Sequence, residues 1–345
     1  MIEKLQIIQP DDWHVHLREK RMLEVVARHS SRINHRCIVM PNLNNPVITF
    51  NDGLEYKKEI KSVIKENDFI PLIPCYLTEN LDLSDFKKAL EKEVFVGAKL
   101  YPSNATNNSS FGVSNIHNII PALEILEEMN KPLLIHGEKV SQEIDLFDRE
   151  KYFIDDELTL IRKKFPNIRI VLEHVSSKYG ADFVNDNKYI AATITPQHLT
   201  LTKKDVFFDN SLNPHHFCMP VVKDESDLIA LRGYATSGNK KFFLGTDSAP
   251  HHVNFKTDSI STKPGIFSSP CSLELYATIF EEEKALDKLE IFCSINGPSF
   301  YEMPINSKFI ELIKQEWEVP EFTINNEIRI KNFYGGKKLN WKVKE

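Results

Sequence analysis

With 345 residues and 41% apolar side chains, the chain has material for one large core or two modest ones, which excludes a disordered protein. The formal net charge of −6 excludes the basic excess that nonspecific nucleic-acid or membrane-surface binding requires, and favours a small-molecule substrate. No apolar run approaches a membrane span, and the start, MIEKLQIIQPDDWH, lacks the basic region and apolar core of a signal peptide, so a cytoplasmic protein is expected.

Short apolar, β-branched runs alternate with helical patterns. The first predicted strand covers 5–17, interrupted by Pro10, and carries Asp12-Trp13-His14-Val15-His16-Leu17-Arg18. A second strand at 37–41 precedes an amphipathic helix at 52–66, and strands at 69–77 and 95–101 follow. A helix at 116–130, a strand at 132–136, a helix at 155–165 and strands at 168–175 and 190–195 continue the alternation. A helix at 225–237 and a strand at 241–246 complete it. Eight strands with helices between them predict an α/β protein built as a (β/α)8 TIM barrel. An open doubly wound sheet is the alternative, but no strand is followed by the Gly-x-Gly-x-x-Gly turn of a dinucleotide site. Residues 1–345 read as a single domain, with polar residues 307–345 as a C-terminal appendage. The five cysteines form no Cys-x-x-Cys pair and read as free buried thiols; Cys218, after a His-His pair, is a weak candidate thiolate ligand.

Barrel chemistry sits where strands end, so the residues closing each run carry the functional signal. His14 and His16, two apart on an extended segment, point to one side and can share a metal ion. Lys99 lies in the fourth strand, His136 ends the fifth, Glu173-His174 the sixth and Asp247 the eighth. His136 or His174 alone is equally explained as a hydrogen-bonded core histidine, and Asp247 as a helix cap. Convergence from five strand ends favours metal binding. Imidazole and carboxylate ligands suit Zn2+, and also Mn2+, Fe2+ or Co2+. Lys99 has no lone pair while protonated. Either a nearby carboxylate pairs with it, or burial lowers its pKa enough for reaction with CO2 to a carbamate, whose oxygens can bridge two metals.

These residues resemble the amidohydrolase superfamily of metal-dependent barrels and, within it, the dihydroorotase family of the shorter bacterial type. The likeness runs through Met40-Pro41-Asn42-Leu43, Ala98-Lys99-Leu100-Tyr101-Pro102, Leu134-Ile135-His136-Gly137-Glu138, Ala192-Thr193-Ile194-Thr195-Pro196-Gln197-His198, Gly245-Thr246-Asp247-Ser248-Ala249-Pro250-His251 and Ser294-Ile295-Asn296-Gly297-Pro298. It implies two divalent ions, most simply Zn2+, with His14, His16 and Asp247 on one, His136 and His174 on the other, and Lys99 bridging both as N6-carboxylysine. It further implies a bridging hydroxide as nucleophile, Asp247 as general acid and base, and interconversion of N-carbamoyl-L-aspartate and L-dihydroorotate. Arg18, Asn42 and His251 would grip the substrate carboxylate, and Met219 and Gly265 would meet the ring through backbone groups. A homodimer is also implied.

The polar segment 103–112 reads as a mobile loop, and the family's loop contributes two adjacent threonines to the substrate. Here they are Thr106 and Asn107, a departure that changes the second contact. Residues 252–269 also depart, being rich in Lys, Ser and Thr. The alternatives are another cyclic-amide hydrolase (hydantoinase, dihydropyrimidinase or allantoinase), whose substrates lack the ring carboxylate, and a catalytically silent scaffold barrel.

Overall fold

The structure, a computed structural model, describes residues 3–64, 68–208, 211–257 and 262–344. Parallel strands Asp11–Val15, Arg36–Val39 and Ile70–Leu72 form one arc. Cys75–Tyr76, Ala98–Leu100, Leu133–Ile135, Ile170–Leu172, Ile190–Ile194 and Phe242–Leu244 form the other, also parallel throughout. The ring closes between the first and last strands. Asp247 N donates to His14 O at 2.8 Å and His16 N to Ser248 O at 3.1 Å, while the Asp12 carboxylate accepts from Thr246 N at 2.9 Å and Thr246 Oγ1 at 2.6 Å. The chain is therefore the predicted (β/α)8 barrel.

The barrel strands are buried on both faces because helices cover the outside and side chains fill the inside. Ile38, Leu134, Val171, Ala191 and Phe243 form the inner cluster with Trp13 and Tyr301. Their strand neighbours Leu133, Ile135, Ile170 and Leu172 pack outward into the main core. Lys99 is in register with Leu134, so the pleat aims it into the barrel. At the N-terminal end Trp13 stacks on Tyr301 with centroids 4.3 Å apart. Gly297 permits this plug, since a Cβ there would fall 1.8 Å from Trp13 Nε1.

The predicted first strand, 5–17, is two strands of different sheets. Lys4–Ile8 runs antiparallel to Phe309–Glu318, which pairs in turn with Lys338–Val343, and Asp11–Val15 alone enters the barrel. Pro10, with no N–H to give a ladder, marks the break. The predicted strand 69–77 also splits, at Ile73-Pro74, into pieces pairing with opposite neighbours. Residues 307–345, predicted as a polar appendage, send Leu312, Trp341 and Val343 into the main core. The helix predicted over 52–66 starts earlier, as Phe50–Val63, because Thr49 and Asp52 form a capping box. Its predicted end at residues 65–66 and part of the segment 252–269, residues 258–261, lie outside the described residues. The helix predicted over 116–130 is a 3-10 turn, Ile116–Ile119, followed by Ile120–Glu128 with Pro121 in its first turn.

Candidate metal centre and substrate pocket

At the C-terminal end of the barrel, Asp247 Oδ1 lies 3.3 Å from His14 Nε2 and 3.1 Å from His16 Nε2. One ligand atom from each of these three residues falls within 4.8 Å of the others. His136 Nδ1 and His174 Nε2 are 3.1 Å apart, and His136 Nε2 is 2.8 Å from Glu138 Oε2. Because Glu138 takes the Nε2–H of His136, Nδ1 presents its lone pair toward His174.

Backbone strain helps aim these groups. Arg18, His174 and Asp247 have φ of 60, 42 and 43°, left-handed values that non-glycine residues rarely adopt and that cost about 1–3 kcal/mol each. His174 is held there by its N–H on Thr193 Oγ1 at 2.7 Å, and Asp247 by the closure bond to His14.

Lys99, wholly buried, donates to the Glu173 carboxylate, and its amine lies 4.7 Å over the Tyr101 ring. Of the two states open to Lys99 from sequence, its free amine thus has a carboxylate partner. Burial draws that amine downward in pKa against the pull of Glu173. Glu173 Oε1 also stands 3.0 Å from His14 Nδ1, without hydrogen-bond alignment. Burial would raise the Asp247 carboxyl, but bonds from His14 and His16 hold it well below the usual carboxylate range. For His14, burial is outweighed by Glu173 and Asp247, which lift it to about 9.

The donor set suits divalent metal ions. His14 Nε2 and His16 Nε2 converge on Asp247 Oδ1, and His136 Nδ1 faces His174 Nε2, so buried acceptor atoms crowd at two points where a cation would relieve them. Imidazole nitrogens and carboxylate oxygens are also the ligand types such ions prefer.

Above this centre lies a small pocket bounded by Arg18, Asn42, Thr106, Asn107, Met219 and Gly265. Arg18 Nη2 is 3.1 Å from His251 Nε2, Arg18 Nη1 is 3.5 Å from His16 Nδ1, and Arg18 Nε donates to Pro250 O at 3.1 Å. Burial lowers the Arg18 guanidinium to about 10, leaving it cationic at neutral pH. The loop at 103–112 lies closed over the pocket. Asn42 Nδ2 donates to Asn107 O at 3.0 Å, while Asn107 Nδ2 donates to Pro264 O at 2.6 Å and approaches His251 Nε2 at 3.2 Å. Thr106 is tied within the loop through Ser109 Oγ, which accepts from Thr106 N at 3.0 Å and donates to Thr106 O at 2.6 Å.

The amidohydrolase family profile matches residues 7–314. The chain belongs to the amidohydrolase family. This family membership implies a binuclear metal centre. The chain is 44% identical over 342 residues to the dihydroorotase of Pectobacterium carotovorum subsp. carotovorum, covering 99% of this chain and 98% of that one. Among solved structures it resembles the dihydroorotase of Saccharomyces cerevisiae in complex with 5-fluoroorotic acid, with a TM-score of 0.93, 32% identity and 99% of each chain covered. It likewise resembles the Campylobacter jejuni dihydroorotase, with a TM-score of 0.91, 33% identity, and 100% and 99% covered. L-hydantoinase of Arthrobacter aurescens, at 15% identity and a TM-score of 0.82, shares the amidohydrolase fold.

All thirteen residues singled out from sequence gather at this end of the barrel: eleven line the pocket, Lys99 lies beneath it, and His251 stands in its wall beside Arg18. Cys218 is not among them as a ligand. Its thiol donates to Pro220 O at 3.3 Å, and burial raises its pKa. All five cysteines are free and buried. Sequence reasoning gave no role to Glu138, which orients His136, or to Asp12, which ties the first strand to the last; the spacing His136-Gly137-Glu138 was the available signal for the former.

Proposed function

We propose that this amidohydrolase catalyses the reversible cyclisation of N-carbamoyl-L-aspartate to L-dihydroorotate plus water, the dihydroorotase reaction of pyrimidine biosynthesis. The observation that carries this reading is the Arg18–His251 contact at 3.1 Å, which sets a buried cation beside the Asp247 cluster, where a ring carboxylate needs one. Guanidinium geometry favours a carboxylate, and hydantoinase-type substrates have none on the ring. The full-length likeness to dihydroorotases supports the same substrate.

In this reading His14, His16 and Asp247 would hold one ion, His136 and His174 the second, and Lys99, as a carbamate, would be a ligand as well. Zinc fits the nitrogen and oxygen donors. Ions held there would supply Lewis-acid polarisation of the amide carbonyl and a water of lowered pKa. Complete burial and the lowered amine pKa of Lys99 support its reaction with CO2, in which the nitrogen forms a bond to carbon and loses a proton. Ionised Asp247 takes a proton from the attacking water at its carboxylate and delivers it to the departing ring nitrogen; in cyclisation the transfers reverse. Arg18, Asn42 and His251 orient the substrate carboxylate, Met219 and Gly265 border the ring, and Thr106 and Asn107 close the loop against water.

We further read residues 1–345 as one domain, because the N-terminal strand pairs with the C-terminal region. The family resemblance supports a homodimer. A cytoplasmic site of action accords with the small charged substrate, and among the described residues no helix is long and apolar enough to cross a membrane.

The test compares L-dihydroorotate with dihydrouracil and hydantoin under one set of conditions. Turnover of dihydroorotate at least about 100-fold more efficient than either neutral ring is expected from a charge-assisted carboxylate contact. Equal turnover of all three would remove the carboxylate reading.

A further inference from the structure

Lys256 is 8% exposed, and its side chain enters the protein beneath the segment that borders the pocket. Its nitrogen donates to Gly265 O at 2.7 Å, Lys263 O at 2.9 Å and Phe217 O at 3.2 Å. Three acceptors match the three N–H groups of its protonated form, whose pKa burial brings down to about 7. No carboxylate among the described residues pairs with it. Among the described residues this buried amine is thus held by backbone carbonyls alone, a costly choice where an apolar side chain of similar length would pack.

The two closer carbonyls flank Pro264. With Lys263 O and Gly265 O turned toward Lys256, the intervening Pro264 O faces the pocket, where it lies 3.0 Å from His251 Nε2. The same ring nitrogen also lies 3.1 Å from Arg18 Nη2 and 3.2 Å from Asn107 Nδ2. Arg18 and Asn107 approach it with N–H groups, and only Pro264 approaches with an acceptor. Burial, followed by the nearby cations, depresses His251 well below its usual pKa, so its ring is neutral and carries one proton. Without the Pro264 carbonyl, the two donors would favour a lone pair on Nε2 and the proton on Nδ1. A substrate carboxylate approaching Nε2 would then meet a lone pair, whereas with Nε2–H in place it can share that proton with Pro264 O.

The arrangement also tolerates little adjustment. Gly265 has φ of 143°, and a Cβ there would stand 2.6 Å from Ala249 O and 3.0 Å from the His251 ring. Gly265 N donates to Phe217 O at 2.9 Å, so the Lys256 bond to that carbonyl couples this segment to the one leading into Met219.

We propose that Lys256 is a positioning residue for substrate-carboxylate recognition: by gripping the carbonyls on either side of Pro264, it presents Pro264 O to His251 and keeps the imidazole proton on Nε2. This extends the dihydroorotase reading and rests on it for the identity of the carboxylate, though the link from Lys256 to the His251 tautomer does not.

The experiment uses the full-length, metal-loaded protein. Lys256→Met is expected to raise KM for L-dihydroorotate about tenfold or more with kcat within about twofold, and Lys256→Arg to recover KM to within about threefold. Ring nitrogen-15 shifts of His251, assigned by comparison with His251→Asn, are expected to show Nε2–H in the wild type and a shift toward Nδ1–H in Lys256→Met. If Lys256→Met does not fold, Lys256→Gln replaces it with the same expected directions. Wild-type KM in the folded variant, an unchanged His251 tautomer, or equal losses in kcat and KM accompanied by thermal destabilisation would overturn the proposal. If the wild type fails to turn over dihydroorotate, the functional reading fails, while the nitrogen-15 comparison still decides the Lys256–His251 link.

Discussion

Arg18 Nη2 lies 3.1 Å from His251 Nε2, although the two residues are 233 positions apart in the sequence. The two side chains come from the loops after the first and last strands, which only barrel closure makes adjacent. Replacing Arg18 by Met removes the cation but none of the proposed metal ligands. The expected outcome is a KM for dihydroorotate raised about 10- to 100-fold, the scale of one charged hydrogen-bonding group, with metal content unchanged. Steady-state kinetics with elemental analysis checks both halves. Unaltered KM would remove Arg18 from carboxylate recognition.

Asp247 is both proposed ligand and proton carrier, with its Oδ1 within reach of two imidazoles. Asp247→Asn is expected to lower kcat by about 100-fold or more, the usual range for loss of a general acid-base group. Measuring turnover at matched metal occupancy separates the proton role from ligand loss. A kcat near wild type at matched occupancy would assign proton transfer to another group.

The closed loop is held in part by the Asn107 amide, which donates to Pro264 O at 2.6 Å. Asn107→Ala is expected to raise KM about 3- to 10-fold and to speed proteolysis within 103–112, in line with the loss of one or two hydrogen bonds. Asn107→Thr retains a donor and is expected to stay within about threefold of wild type. Unchanged kinetics and proteolysis in the alanine variant would show that the loop closes without this amide.

The strand-end pattern made much of the centre legible. His14, His16, His136, His174 and Asp247 combine ligand-bearing side chains with predictable places at strand termini. Lys99 was readable because a lysine among buried apolar neighbours is chemically conspicuous. The splitting of 5–17 was harder to see: Ile7 and Ile8 are apolar like Val15, but their pairing partners lie some three hundred residues onward in Phe309–Glu318. Glu173 was visible at its strand end, but its pairing with Lys99 and the place of Lys256 beneath Pro264 were hidden for a related reason. Their significance comes from cross-strand contacts and backbone carbonyls, and neither leaves a motif in the local sequence.

His198 supplies a pH-dependent stability. It is buried between Thr195 Oγ1 at 2.8 Å and Pro220 O at 3.0 Å, and burial lowers it to about 4 from 6.5. The folded protein therefore favours neutral His198, while unfolding allows protonation below pH 6.5. The contribution is complete above the unfolded value and is lost as pH falls from 6.5 toward 4, reaching at most ~3 kcal/mol. Unfolding free energies between pH 7 and 4.5 are expected to decline more steeply for wild type than for His198→Gln. Parallel declines would show that His198 is not the responsible group.

Metal content measured together with N-carbamoyl-L-aspartate cyclisation, before and after chelation, tests the two-metal assignment most directly. About two divalent ions per chain, loss of cyclisation on their removal, and recovery when Zn2+ is restored are expected. A metal-free chain that retains full cyclisation activity would contradict it.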